Sequence, residues 1–136
     1  MQALSQVRWS TALAGLAVWA TTVPWLAEAV GLELDVSPRL EIVDHVIPGV
    51  VMLAAAALLA ARGGPRGSLV WLGVAAIAFL TGFWITATHV PLIPDALDGA
   101  APWGAALVHL STGPPIMLLG LWLLLRGPSS DNAAHT

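Results

Sequence analysis

An all-α membrane protein of four transmembrane helices, arranged as two tandem two-helix hairpins with both termini cytoplasmic, is the fold this sequence predicts. Three observations predict it. The chain has 136 residues, 57% hydrophobic and only 10% charged, with a mean hydropathy of +0.82, whereas a soluble domain carries about 25% charged residues. Its apolar residues gather into four runs, each long enough to cross a hydrocarbon core of about 30 Å as a helix of roughly 20 residues. Its charges are sorted by sign between the ends of those runs.

The first run covers residues 9–30 and meets no charge until Glu28. Ala27-Glu28-Ala29 has the look of a signal-peptide cleavage site, but the apolar stretch exceeds the 7–15 residues of a typical signal core, so an uncleaved helix is expected. The second covers 38–62, with Ser37 as its N-cap and Pro38 in the first turn, where a missing N–H does no harm. The third covers 68–90 and the fourth 103–125. All four are continuous and rich in Ala and Leu rather than alternating, which argues against a β-barrel. Residues 1–126 thus read as one transmembrane domain, and 127–136 as a polar, disordered cytoplasmic tail.

Charge sets the orientation. Arg8, Arg62, Arg66 and Arg126 fall at the N-terminus, the middle turn and the C-terminal end, which four spans bring to one side. The other side receives Glu28, Glu33, Asp35, Glu41, Asp44, Asp95 and Asp98 against Arg39 alone. By the positive-inside rule the arginines are cytoplasmic and the acidic loops lie outside a multi-pass protein of the plasma membrane. Trp9, Trp71 and Trp122 near one boundary, and Trp25 and Trp103 near the other, suit an aromatic belt. Five basic residues in all exclude a nucleic-acid binder, and the absence of cysteine excludes disulfides and thiolate metal sites.

The two halves share a pattern. His45 is followed by Gly49 and then Arg62-Gly63, as His109 is followed at the same spacing by Gly113 and then Arg126-Gly127. Upstream, Trp19 precedes Val23-Pro24 and Trp84 precedes Val90-Pro91. The expected repeats are 9–63 and 68–127, a parallel duplication about the membrane normal. On these residues the chain resembles the SPW-repeat integral membrane proteins. Gly15 to Trp19 leading to Val23-Pro24-Trp25 is similar to the motif region, and Gly82-Phe83-Trp84 leading to Val90-Pro91-Leu92 to a second copy. Gly49 and Gly113 match the second-helix glycine, and Trp103 an aromatic before it. Both copies carry Val in place of the motif's Ser, and Leu92 replaces its Trp. The resemblance implies a fold and a membrane location, and no activity.

The candidate chemistry lies at the outer boundary. His45 and His109 would stand at matching depth, each with a glycine on the same helical face one turn deeper, and could ligate a haem b whose flat face passes Gly49 and Gly113. Alternatively His45, His89 and His109 with Glu41 and Asp44 form a mixed N/O set that suits zinc, copper(II) or iron. Met52 and Met117, about two turns deeper, suggest a soft copper path. The plainer expectation is no cofactor: boundary histidines that hydrogen-bond, with glycines that only let helices approach. Pro114-Pro115 should kink the fourth helix and free the carbonyls of Leu110 and Ser111, and with Pro24 and Pro48 open a shallow outward vestibule. With no phosphate loop, nucleophile elbow or Cys nucleophile, catalysis is not expected. The function expected is therefore structural or accessory, with a haem or metal redox protein as the alternative. The partners expected are lipid, further copies of the chain or a larger membrane complex.

Overall fold

A computed structural model of the chain describes residues 2–32, 34, 37–63 and 65–126, with side chains from Gln6 onward. Glu33, Asp35, Gly127 and the expected 127–136 tail with His135 lie outside the described residues. Those described are helical or in turns, and four helical stretches are long and apolar enough to cross a membrane. Helix α1 (Gln2–Ala29) is the first. Helix α2 (Pro38–Arg62) is the second, and α3 (Leu69–His89) with a short helix α4 (Leu92–Leu97) makes the third. The fourth is divided into α5 (Trp103–Leu110) and α6 (Gly113–Leu125).

Local chemistry explains the ends. Ser37 caps α2 by accepting from the Leu40 N–H, and Ser68 caps α3 by accepting from the Trp71 N–H, each at 3.3 Å. Gly31, at φ +85°, closes α1: its N–H donates to Glu28 O and that of Leu32 to Ala27 O. This reversal needs a left-handed residue, which glycine adopts without a Cβ clash.

Besides the third span's turn at Val90-Pro91 between α3 and α4, two spans depart from regular α-helix, and both departures precede prolines. In α2, residues Ile42–Val46 form a π turn, and the Ile47 N–H reaches back five residues to Ile42 O. Pro48 follows; it cannot donate to the carbonyl of Asp44 and its ring crowds that carbonyl, so the wider turn relieves the clash. In the fourth span the expected kink is a break. Pro114 and Pro115 sit in the first turn of a new helix, where no donor is needed. The carbonyls served by side chains are consequently Val108 O, by Ser111 Oγ, and His109 O, by Thr112 Oγ1, both at 2.7 Å. They lie earlier than the Leu110 and Ser111 carbonyls that a continuous helix would have freed.

The spans pair as α1 with α2 and α3 with α6, and α2 packs on α3 between the pairs. Small residues bring the backbones together. A Cβ on Gly49 would strike Thr21 and Ala17 O of α1; one on Gly113 would strike Thr86, and those on Gly82 and Gly120 the backbone across the α3–α6 contact. The main core runs down the inner part of the bundle through Leu13, Met52, Leu59, Trp71, Ile85, Ile116 and Leu123. Gln6 lies beside Gly63, and the Trp9 ring lies 4.6 Å from that of Trp122, over which Arg126 stacks. The N-terminal end, the middle turn and the C-terminal end therefore share one end of the molecule. Trp19, Leu26, Val50, Leu80, Phe83, Leu107 and Leu118 point outward as an apolar surface suited to lipid.

Candidate metal centre

The departures in α2 and in the fourth span frame a buried polar cluster. His45 stands in the π turn, His109 in the last turn before the break, and His89 ends α3. Glu41 lies one turn before His45. Their exposures are 0% for His45 and His109, 5% for His89 and 2% for Glu41. The histidines expected at the boundary, and Glu41 with them, are thus inside the protein. The imidazole centroids lie 4.9 Å (His45–His89), 5.1 Å (His45–His109) and 4.4 Å (His89–His109) apart.

Backbone carbonyls fix how the rings are used. His45 Nδ1 lies 3.1 Å from Ala20 O of α1, His89 Nδ1 2.7 Å from Ile85 O, and His109 Nδ1 2.7 Å from Ala105 O. A carbonyl oxygen only accepts, so each Nδ1 carries its hydrogen and donates it. In the neutral tautomer each Nε2 is then a bare lone pair, the state in which imidazole ligates a metal, and the second-shell carbonyl holds the ring in place.

Acceptors consequently face acceptors. His109 Nε2 lies 2.8 Å from Glu41 Oε1, a contact that needs a shared proton or another cation between the two atoms. His45 Nε2 and Glu41 Oε2 lie 3.8 Å apart, too far for a hydrogen bond, and both are buried with no hydrogen-bond partner among the described residues. One ring nitrogen from each histidine lies within 4.8 Å of the other two. Ligands about 2.0–2.1 Å from a zinc ion stand roughly 3.4 Å apart around a tetrahedron, so the rings would enclose an ion by turning their nitrogens toward a common point. Three imidazole nitrogens beside a carboxylate are a borderline-to-hard donor set, suited to zinc, iron(II) or copper(II) rather than copper(I).

Haem does not fit this arrangement. Two axial histidines must have an iron and a macrocycle plane between them, yet His45 and His109 are near neighbours and His89 stacks on His109. Gly49 and Gly113 offer no slot, since Thr21 and Thr86 fill the space before them. Asp44 is also outside the cluster: its Oδ1 accepts from Trp84 Nε1 at 3.2 Å. Met52 belongs to the apolar core. Ala27, Leu34 and Ala105 form a small apolar contact beside the cluster. Sequence reasoning named Glu41 and all three histidines but missed the carbonyls of Ala20, Ile85 and Ala105, which leave no side-chain signature. Comparison with known proteins found no matching family model, no matching curated protein and no matching solved structure.

Proposed function

We propose that the protein binds one divalent transition-metal ion within the outer part of its transmembrane bundle, through His45, His89 and His109, with the Glu41 carboxylate beside them. The observation that carries this reading is the convergence of acceptors: three imidazoles oriented by their own Nδ1–H bonds, and a buried carboxylate with one oxygen unpartnered. A water molecule could donate to two of these acceptors. A metal cation also offsets the Glu41 charge, which is costly to hold uncompensated within a membrane. The acidic residues Glu28, Asp95 and Asp98 at the same end of the spans would raise the local concentration of cations there.

The same reading sets the molecule in the plasma membrane with the arginine-bearing end cytoplasmic and the acidic loops outside, in contact with lipid. It also takes the chain as a duplicated two-helix unit of the SPW-repeat kind. The seating of Gly49 against Thr21, and of Gly113 against Thr86, supports that origin. Equilibrium dialysis of the detergent-purified chain against Zn²⁺, followed by elemental analysis, tests the metal. One ion per chain, lost in His45→Ala and His89→Ala, is expected. A wild-type chain that retains no zinc, copper or iron returns the cluster to the structural, accessory reading.

A further inference from the structure

Resting on the metal reading above, we infer that Glu41 supplies the fourth ligand and that the site is closed, so that the ion is a fixed clamp joining the first turns of α2 to the C-terminal ends of α3 and α5, not a cargo or a catalyst.

The donor count comes first. A catalytic zinc keeps one position open for water or substrate, whereas a structural zinc has four protein ligands. Three positions belong to the histidines. Glu41 lies against two of them, with Oε1 2.8 Å from His109 Nε2 and Oε2 3.8 Å from His45 Nε2. Its carboxylate therefore already borders two of the three imidazoles, within reach of an ion that they would share.

Closure comes second. On the side away from the main core, Ala27 of α1 lies two turns beyond Ala20, whose carbonyl meets His45, and it clusters with the buried Leu34 and with Ala105, whose carbonyl meets His109. On the inner side the main core begins at Met52, Ile85 and Ile116, each 0% exposed. Below that point Gly82 and Gly120 hold α3 and α6 backbone to backbone. Besides the cluster itself, the buried polar side chains among the described residues are Thr112, Thr81 and Ser10, so an ion passing inward would meet hydroxyls but no buried carboxylate or imidazole.

The clamp has work to do at this place. The π turn and the break interrupt the regular hydrogen-bond ladders of α2 and of the fourth span, and His45 and His109 stand in or beside those interruptions. A metal bond to each would tie the two irregular segments to α3.

Cobalt(II) is the probe. The full chain, purified in detergent and loaded with Co²⁺, should show the intense visible bands of a four-coordinate ion, unchanged by excess azide. Glu41→Gln should still bind Co²⁺, with bands that azide shifts, because the vacated position is open. Excess Zn²⁺ should raise the wild-type unfolding midpoint by roughly 5–10 °C, and vesicles carrying the protein and an internal zinc indicator should fill no faster than protein-free ones. Wild-type bands that azide shifts, or zinc entry above the protein-free rate, would overturn the clamp and leave the metal site standing. Failure to bind Co²⁺ or Zn²⁺ at all would overturn both. Should Glu41→Gln not fold, the wild-type azide titration and the vesicle assay still decide the matter.

Discussion

Each histidine in the cluster donates from Nδ1 to a main-chain carbonyl, and His45 and His109 also turn Nε2 toward Glu41. Removing one ring should therefore cost a ligand outright. His89→Ala is expected to weaken zinc binding by at least about 100-fold in competition with a chromophoric chelator, beyond the 10–100-fold typical of second-shell losses. Asp44→Ala should change it by no more than about tenfold, because that carboxylate serves Trp84 instead. Thr112 supports the cluster from beneath by donating to His109 O at 2.7 Å while fully buried. Thr112→Val should lower stability by about 1 kcal/mol, the usual net value of such a bond, read as a lower unfolding midpoint. Glu41 and the three histidines were legible in the sequence because ionisable residues inside apolar runs are rare and stand out. Asp44 looked equally eligible by spacing, and only the turn geometry sends it to Trp84.

Helix ends and spans follow from local signals that sequence carries well. Ser37 and Ser68 cap as their positions imply, and all four apolar runs are helical to within a few residues, except that α1 starts earlier and the fourth run is divided. What sequence carried poorly was how the chain resolves a proline within an apolar run. Pro24 is accommodated inside an unbroken α1, Pro48 follows a π turn, and Pro114-Pro115 restarts a helix. These outcomes depend on what packs beside each proline, which a single strand of sequence does not state. The glycines divide in the same way. Gly120 lies against the Phe79 backbone, whereas nothing approaches the Cβ position of Gly15. Gly120→Val should separate α3 from α6 and destabilise the bundle by about 1–3 kcal/mol or more. Gly15→Ala should be neutral or stabilising by up to about 1 kcal/mol. Thermal unfolding followed by size-exclusion chromatography distinguishes them.

The whole molecule is polar in the electrical sense, with Arg8, Arg62, Arg66 and Arg126 toward one end and most of the acids toward the other. Because the chain contains no cysteine, single substitutions give unambiguous labels. A membrane-impermeant maleimide should label Asp98→Cys on intact cells and Pro65→Cys only after permeabilisation; the reverse pattern would invert the orientation. The buried cluster lies toward the acidic end, between a small apolar contact and the main core, and its four side chains are at most 5% exposed. X-ray absorption at the zinc edge of the metal-loaded, full-length protein reads that environment directly. The account predicts a four-coordinate ion with three imidazole nitrogens and one carboxylate oxygen, the imidazole scattering falling in His89→Ala. An ion surrounded by oxygen alone would mean that loop carboxylates hold it, and would contradict the assignment of His45, His89 and His109.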